Sequence, residues 1–512
     1  MKIRFLILFI YNLCFISCKN QVPDVPEWDI FESQIINTNQ YEDPYRDVDL
    51  IVMYTRPDRT VLSTYGFYDG GVTWRFRCMP DMEGKWRYKI HFSDDSKTGE
   101  GSFLCIESDL PGIATVYENN PVWLGFRNRT PVQLRSFHVG DRFFASNFED
   151  ERRTEFLNWA QNRGYNMLSI ASHFLNRNSQ GRGAGWDTPD LWPLNAFEYR
   201  KMESILDDLK ARKILVFPFA GFFGRAALWP VGPEEQELYI KYTLARLAPF
   251  WNLIFNVAGP EPLLNPGDYQ GGKMTSRDIN RIAGLIKKYD PYDHILSIHN
   301  RTRDPETDEW ELDPFIFQSW EDYIILQGAK GDSLNEIYTF IQEAKKIVKP
   351  VYAQEVLWYG NQYHADLTEE QLRKKAIVLI MAGAFINFGD MNGNSSSGFT
   401  SHMMIDSASI RHHRIMKQVW DFFDRIPFYE LFPRPDLVNG GYCLASEGAY
   451  YLVYLDGGGE VKLNWRGVIQ KASWIHAGTF DKSEISADPQ DMHTFKAPGD
   501  GDWFLWIEME AD

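Results

Sequence analysis

Cysteine is scarce in this sequence and badly placed for structural work. Five occur in 512 residues: Cys14, Cys18, Cys78, Cys105 and Cys443. No CxxC pair is present, which excludes a zinc ribbon, and so few thiols in so long a chain exclude a disulfide-stapled scaffold. Cys78 and Cys105 could pair, but both read better as buried free thiols. Basic residues are in deficit, 53 Lys and Arg against 70 Asp and Glu, for a net charge of -17. Phosphate binding needs a basic face, so nucleic acid is not an expected partner. Past the N-terminus no apolar run approaches the roughly 20 residues of a membrane-spanning helix. No GxGxxG or GxxxxGK[ST] follows the first strand of the central region, which argues against a doubly wound nucleotide-binding sheet. No His-x-His stands there either, so neither a metal nor another cofactor is expected. Internal repeats are absent, and the one low-complexity stretch is the polar "NGNSSSG" at 392–398.

Aromatic residues, by contrast, make up 15% of the chain, with 17 Trp. Most will fill β-rich cores, but flat indoles also suit the apolar faces of sugar rings. The N-terminus carries an address. Lys2 and Arg4 precede a short apolar run from Phe5 to Ile16, and the segment closes on "FISC". That run suits a signal peptide better than a span. Ser17 before Cys18 fits a bacterial lipobox, with Cys18 the lipidated first residue of the mature protein. An exported lipoprotein of the bacterial cell envelope is therefore expected, periplasmic or on the outer-membrane surface.

A chain of this length holds more than one core. Residues 1–18 read as the signal with its lipobox and 19–26 as a tether. Residues 27–110 carry short alternating β runs separated by turns such as Asp69-Gly70-Gly71, the pattern of an N-terminal β-sandwich. From 111 to 428, strand-like runs alternate with amphipathic helices. Eight apolar runs begin near Val132, Tyr165, Lys213, Asn252, His294, Asp322, Pro350 and Ala384. Helices are expected at 196–212 and 333–347. Ser333 with Glu336 and Thr368 with Gln371 have capping-box spacing. Eight strand–helix units over about 250 residues predict a (β/α)8 TIM barrel. Residues 429–512 return to short strands and read as a C-terminal β-sandwich. The fold class is thus multidomain α/β, a central barrel flanked by two β-sandwich domains.

Barrel chemistry sits where strands end. That rule selects His138 and Asp141, His173, Arg225, Glu261, His299 and Asn300, Gln327, Glu355, and Asp390 with Asn392, in strand order. Two carboxylates stand out. Glu261 closes "NLIFNVAGPEP" between Pro260 and Pro262, and Glu355 lies in "KPVYAQEVLWYG", 94 residues on. Strands four and seven face each other across a barrel mouth. Glycoside hydrolysis needs such a pair, one carboxyl to protonate the leaving oxygen and one to attack or to activate water. The prolines would hold Glu261 stiffly as the acid, leaving Glu355 as nucleophile, with Asn300 and Arg135 as donors around it. Trp358, then Trp229 and Phe223, are candidate sugar-stacking aromatics; alternatively Trp229 packs under the next helix.

The chain also resembles a known family. "GFYDGGVTWRFRCMPDMEGKWRY" is similar to a β-sandwich domain that precedes bacterial glycosidase-like barrels. "FNVAGPEP", "DPYDHILSIHN", "DYIILQG" and "KPVYAQEVLWYG" resemble apiosidase-like barrels related to clan A glycoside hydrolases. The tail resembles a β-domain labelled collagen-binding, a label not carried over. The resemblance implies a retaining glycosidase of a polysaccharide-degrading bacterium. Its acid/base carries onto Glu261 and its nucleophile onto Glu355. The clan usually places Asn before the acid to meet the sugar 2-hydroxyl, where this chain has Pro260. Asn256 or His299 could supply that contact. The substrate-binding set is then His138, His173, Arg225, Asn256, His299, Asn300, Gln327, Trp358 and Asp390. The expected partner is a plant, algal or host polysaccharide or oligosaccharide, with a membrane reached through the lipid anchor. The alternative is a non-catalytic glycan-binding lipoprotein with a degenerate barrel.

Overall fold

The computed structural model describes residues 22–139, 143–170, 187–218, 222–223, 229–259, 261–264, 272–300, 302, 311–328, 333–359, 367–390, 410–485 and 494–510. Its centre is built from eight short parallel strands: β1 (Arg135–Val139), β2 (Met167–Ile170), β3 (Leu215–Pro218), β4 (Phe255–Asn256), β5 (Leu296–Ser297), β6 (Ile324–Gln327), β7 (Val351–Tyr359) and β8 (Ala384–Asp390). Six pair in the order β3-β2-β1-β8-β7-β6, and β4 pairs with β5. A parallel bridge between Val216 and Leu253 joins β3 to β4. The amide of Asp322 donates to the Leu296 carbonyl at 2.7 Å, linking β5 to the entry of β6. The ring of strands is therefore TIM-barrel-like.

Helices α1 (Asp150–Asn162), α2 (Ala196–Ala211), α3 (Pro233–Leu247), α4 (Ser276–Tyr289), α5 (Leu334–Ala344), α6 (Glu369–Met381) and α7 (Ile410–Phe423) surround it. Their starts follow local chemistry. Ser333 and Thr368 accept from the amides of Glu336 and Gln371, and those side chains return a bond to the cap amide. Thr275 and Asp278 do the same for α4. Each reciprocal pair satisfies two amides that the helix itself cannot.

Apolar side chains of the strands pack outward on the helices, whereas the barrel interior holds a polar layer. Ser136 on β1 bonds to the Tyr352 hydroxyl and to Asn387 Oδ1, each at 2.7 Å. Gln354 donates to Ser169 at 2.9 Å. These groups are buried but satisfied by one another, which removes most of their burial cost. A small sheet of residues 114–132 covers the N-terminal end, where the Trp123 indole donates to the Leu431 carbonyl at 3.0 Å.

On the N-terminal side, a five-stranded and a three-stranded sheet face each other. Strand Leu50–Thr55 shows why: Leu50, Val52 and Tyr54 are buried while Met53 is exposed, the two-residue period of a half-buried strand. This unit docks on α2 and α3 through buried charge. Arg246 of α3 donates to Glu203 of α2 at 2.6 Å and to Asp69 at 2.9 Å. Arg77 meets the same Glu203 at 3.0 Å. Burial alone would push the Glu203 carboxyl up, but the two guanidiniums outweigh it and hold it below the usual carboxylate range.

The C-terminal region forms a six-stranded antiparallel sheet with a separate strand pair. Along Trp503–Met509, Phe504 stacks on Phe422 of α7 at 4.5 Å, while Leu505 and Ile507 enter a second core with Tyr451 and Phe495. Cys78, Cys105 and Cys443 are buried free thiols. Among the described residues no helix is long and apolar enough to cross a membrane. Cys18 and the rest of the expected signal lie outside the described residues.

Candidate active site

Strand β4 is short because its backbone leaves the barrel wall early, yet its pairing continues. The amides of Val257 and Glu261 donate to the carbonyls of Ser297 and His299, each at 2.8 Å, and the His299 amide donates to the Ala258 carbonyl at 3.0 Å. Glu261 is thereby laced to the end of β5 in a left-handed conformation, φ 55°. Left-handed backbone is unfavourable for a residue with a Cβ and persists where surrounding bonds impose it, a feature concentrated at functional sites. The Glu261 carboxylate accepts a hydrogen bond from Gln327 Nε2 at 3.3 Å.

Glu355 reaches the same place by an irregularity. On a regular β7 it would share the side of Ala353 and face the helices. The ladder to β6 slips between Leu326 and Gln327, so that Gln327 lies opposite Glu355. The ladder to β8 slips between Ala353 and Leu357. Such bulges re-aim side chains beside binding sites. Glu355 Oε2 consequently stands 3.4 Å from His299 Nε2, with the carboxylate only 10% exposed. The Gly328 amide donates to the Glu355 carbonyl at 2.9 Å and fixes the bulge. Two glutamates from strands four and seven thus adjoin the same two residues, His299 and Gln327.

The surroundings can bind hydroxyl groups. Asn300 Oδ1 and Gln327 Oε1 are buried without a hydrogen-bond partner among the described residues. Buried acceptors in a folded protein are normally satisfied, and a sugar hydroxyl would serve the Asn300 oxygen. Among the described residues no cluster of three His, Cys, Asp or Glu side chains could hold a metal ion.

Residues 137–396, just over half of the sequence, match the family described as Apiosidase-like, catalytic domain. The chain belongs to the apiosidase-like family. Residues 24–93 match a Domain of unknown function (DUF5060). Among solved structures, this apiosidase-like chain is similar to a candidate glycoside hydrolase from Bacteroides vulgatus, at 18% identity and a TM-score of 0.73, over 95% of this chain and 99% of that one. It is also similar to a glycoside hydrolase of family 5 from Bacteroides vulgatus, at 17% identity and a TM-score of 0.60, over 78% and 95% of the two chains. A third structure, titled glycoside hydrolase, aligns at 16% identity and a TM-score of 0.60, over 78% and 98%. The fold is that of glycoside hydrolases. No curated protein matches.

Several expected site residues of the apiosidase-like barrel are engaged by other parts of the protein. Asp390 faces the helices, not the mouth: its Oδ2 is 2.7 Å from His413 Nε2 on α7, and His413 Nδ1 meets the Tyr165 hydroxyl at 2.7 Å. Burial pushes the His413 imidazole down, against the pull of Asp390. Arg135 lies at the opposite, N-terminal end of β1 and pairs with Asp421 and Asp424, so it cannot serve Glu355. Asn256 Oδ1 accepts from the His299 amide at 3.1 Å, which makes it a support for β5. Trp358 is 1% exposed, its ring 4.8 Å from that of His138. It lies flat on Gly389, where a Cβ would come within 3.0 Å of three indole atoms. Its face is covered, so it shapes the floor of the site. Trp229 packs edge-on against Tyr239 of α3 at 5.5 Å, and Phe223 against Phe255 at 6.2 Å, both inside the core. His173 and Arg225, with Asp141, Pro260 and Asn392, lie outside the described residues. One residue was missed: Thr302, whose hydroxyl accepts from the Gln327 amide at 2.8 Å and donates to the Gln327 carbonyl at 2.9 Å. It stands in a segment without strand or helix periodicity, so no sequence signal marked it.

Proposed function

We propose that this protein is a glycosidase that cleaves a plant, algal or host polysaccharide or oligosaccharide by a retaining mechanism. The observation that carries this reading is the convergence of Glu261 and Glu355 on His299 and Gln327. Glu261 donates its proton to the glycosidic oxygen as that C–O bond breaks, and the Glu355 carboxylate bonds to the anomeric carbon. Glu261, now ionised, takes a proton from water, whose oxygen displaces Glu355 and restores both groups. The bulge that turns Glu355 inward and the lattice that fixes Glu261 hold the pair in place before substrate arrives. The buried acceptor on Asn300 suits hydroxyl recognition.

Export and anchoring through acylated Cys18 would place this activity at the cell envelope, where polymeric glycans are met. One acyl chain binds membranes weakly, and a lipoprotein carries more than one. Labelling with a fatty-acid analogue tests the anchor; freely secreted, unlabelled protein from the native host would refute it.

The test of the chemistry is a panel of plant and algal oligosaccharides with two variants. Glu355→Gln should abolish turnover. Glu261→Gln should slow substrates with poor leaving groups most and spare the first step of activated aryl glycosides, which leave without protonation. Azide should rescue Glu261→Ala with a product of retained configuration. Wild-type rates in both variants would exclude these two glutamates as the catalytic pair, and a wild type that binds glycans in the panel but turns none over would leave a glycan-binding role.

A further inference from the structure

The sequence suggests Gln327 as a sugar contact, but its placement points to a different task. Its backbone is clamped on both sides by the Thr302 hydroxyl, at 2.8 and 2.9 Å. Its Nε2 donates to Glu261 Oε1 at 3.3 Å. Its Oε1 is buried with no partner among the described residues. An amide carries a donor and an acceptor on one planar group, and its terminal torsion is broad and two-fold. Half a turn about that torsion exchanges the two. We infer that Gln327 is a positioning residue that serves both protonation states of Glu261, donating from Nε2 to the carboxylate and accepting at Oε1 from the carboxylic acid. The inference rests on the assignment of Glu261 as acid/base.

The chemistry explains why an amide stands there. An acid/base catalyst alternates between the two forms in every turnover. A lysine or arginine can only donate, and would hold Glu261 ionised; a carboxylate would hold it protonated. A glutamine amide, which is neutral and offers both a donor and an acceptor, favours neither. The titratable neighbours are His299, just past β5, whose carbonyl accepts from the Glu261 amide, and Glu355 on β7, 3.4 Å from the His299 imidazole. Gln327 keeps the Glu261 carboxyl oriented in both forms.

The test compares Gln327→Lys, Gln327→Glu and Gln327→Leu, each checked for folding by thermal unfolding. The readout is the pH profile of kcat/KM on an oligosaccharide and on an activated aryl glycoside. A fixed donor should move the basic limb down by about one to two pH units, and a carboxylate should move it up by a similar amount. Leucine removes donor and acceptor together. It should leave the limb nearly in place while lowering kcat about tenfold or more on poor leaving groups, with KM little changed. Unmoved limbs in folded Lys and Glu variants would overturn the inference. So would a rise in KM that is equal for both substrates, which is the signature of a sugar contact. Should Lys or Glu fail to fold, Gln327→Met takes the place of Leu, and the split between kcat and KM decides. The Glu261→Gln and Glu355→Gln controls separate the two failures: if they leave activity intact, the assignment of the acid/base is what falls.

Discussion

Glu261 combines a proposed chemical role with a backbone that resists it, and the two can be separated. At φ 55° an L-residue suffers a close approach between its Cβ and backbone that costs about 1–2 kcal/mol. Glycine has no such penalty, but it loses about 0.4–1 kcal/mol through its freer unfolded chain. Replacing Glu261 by Ala or by Gly removes the Gln327 hydrogen bond equally, so that loss cancels between the two variants. The remainder favours Gly over Ala by about 0.5–1 kcal/mol, the reverse of the order at an ordinary position. Urea unfolding of the two purified variants measures it, with a melting difference of about 1–2 °C as a second reading. Gly284, exposed within α4 with nothing within 4 Å of a built Cβ, is the control: there Ala should win by about 1 kcal/mol. Both Glu261 variants should lack turnover on poor leaving groups. If Glu261→Ala proves as stable as Glu261→Gly while the control behaves, the left-handed backbone is not imposed by the fold, and the strain argument fails.

Two further outcomes follow from other parts of the molecule. Glu203→Gln should destabilise the protein by about 3–5 kcal/mol at neutral pH, because Arg77 and Arg246 lose their shared buried counter-charge. Its folded titration is held below that of the unfolded chain, so wild type should keep this contribution above about pH 4 and lose it as the pH falls further, while the variant should show a shallower acid decline in urea unfolding. Gly389→Ala should cost about 1–3 kcal/mol by overpacking against Trp358 and should lower kcat by displacing the floor beneath His138; a variant with unchanged stability and kinetics would mean that the indole can move aside freely.

Features that depend on neighbours along the chain are legible in the sequence. Apolar runs with breakers between them located the eight barrel strands, because burial on both faces demands continuous hydrophobic stretches. Ser333 and Thr368 marked the starts of α5 and α6, since a cap is made within four residues. The positions of Glu261 just past β4 and Glu355 within β7 were legible for the same local reason. Which way the side chains point depends on strands and helices far away in the chain. Two ladder slips turn Glu355 toward His299, and slips depend on the partner strands β6 and β8, not on β7. Asp390 stands at a strand end yet turns to His413, because parity on β8 is set by its pairing with its neighbours and by an imidazole on a helix some twenty residues away. Arg135 begins its strand instead of ending it, and two carboxylates of the last helix region, nearly three hundred residues on, claim it. Trp358 is covered because Gly389 opposite it has no side chain. Periodicity records how often a chain meets the core; which side of a strand faces a barrel's axis is settled only when strands far apart in sequence come into register.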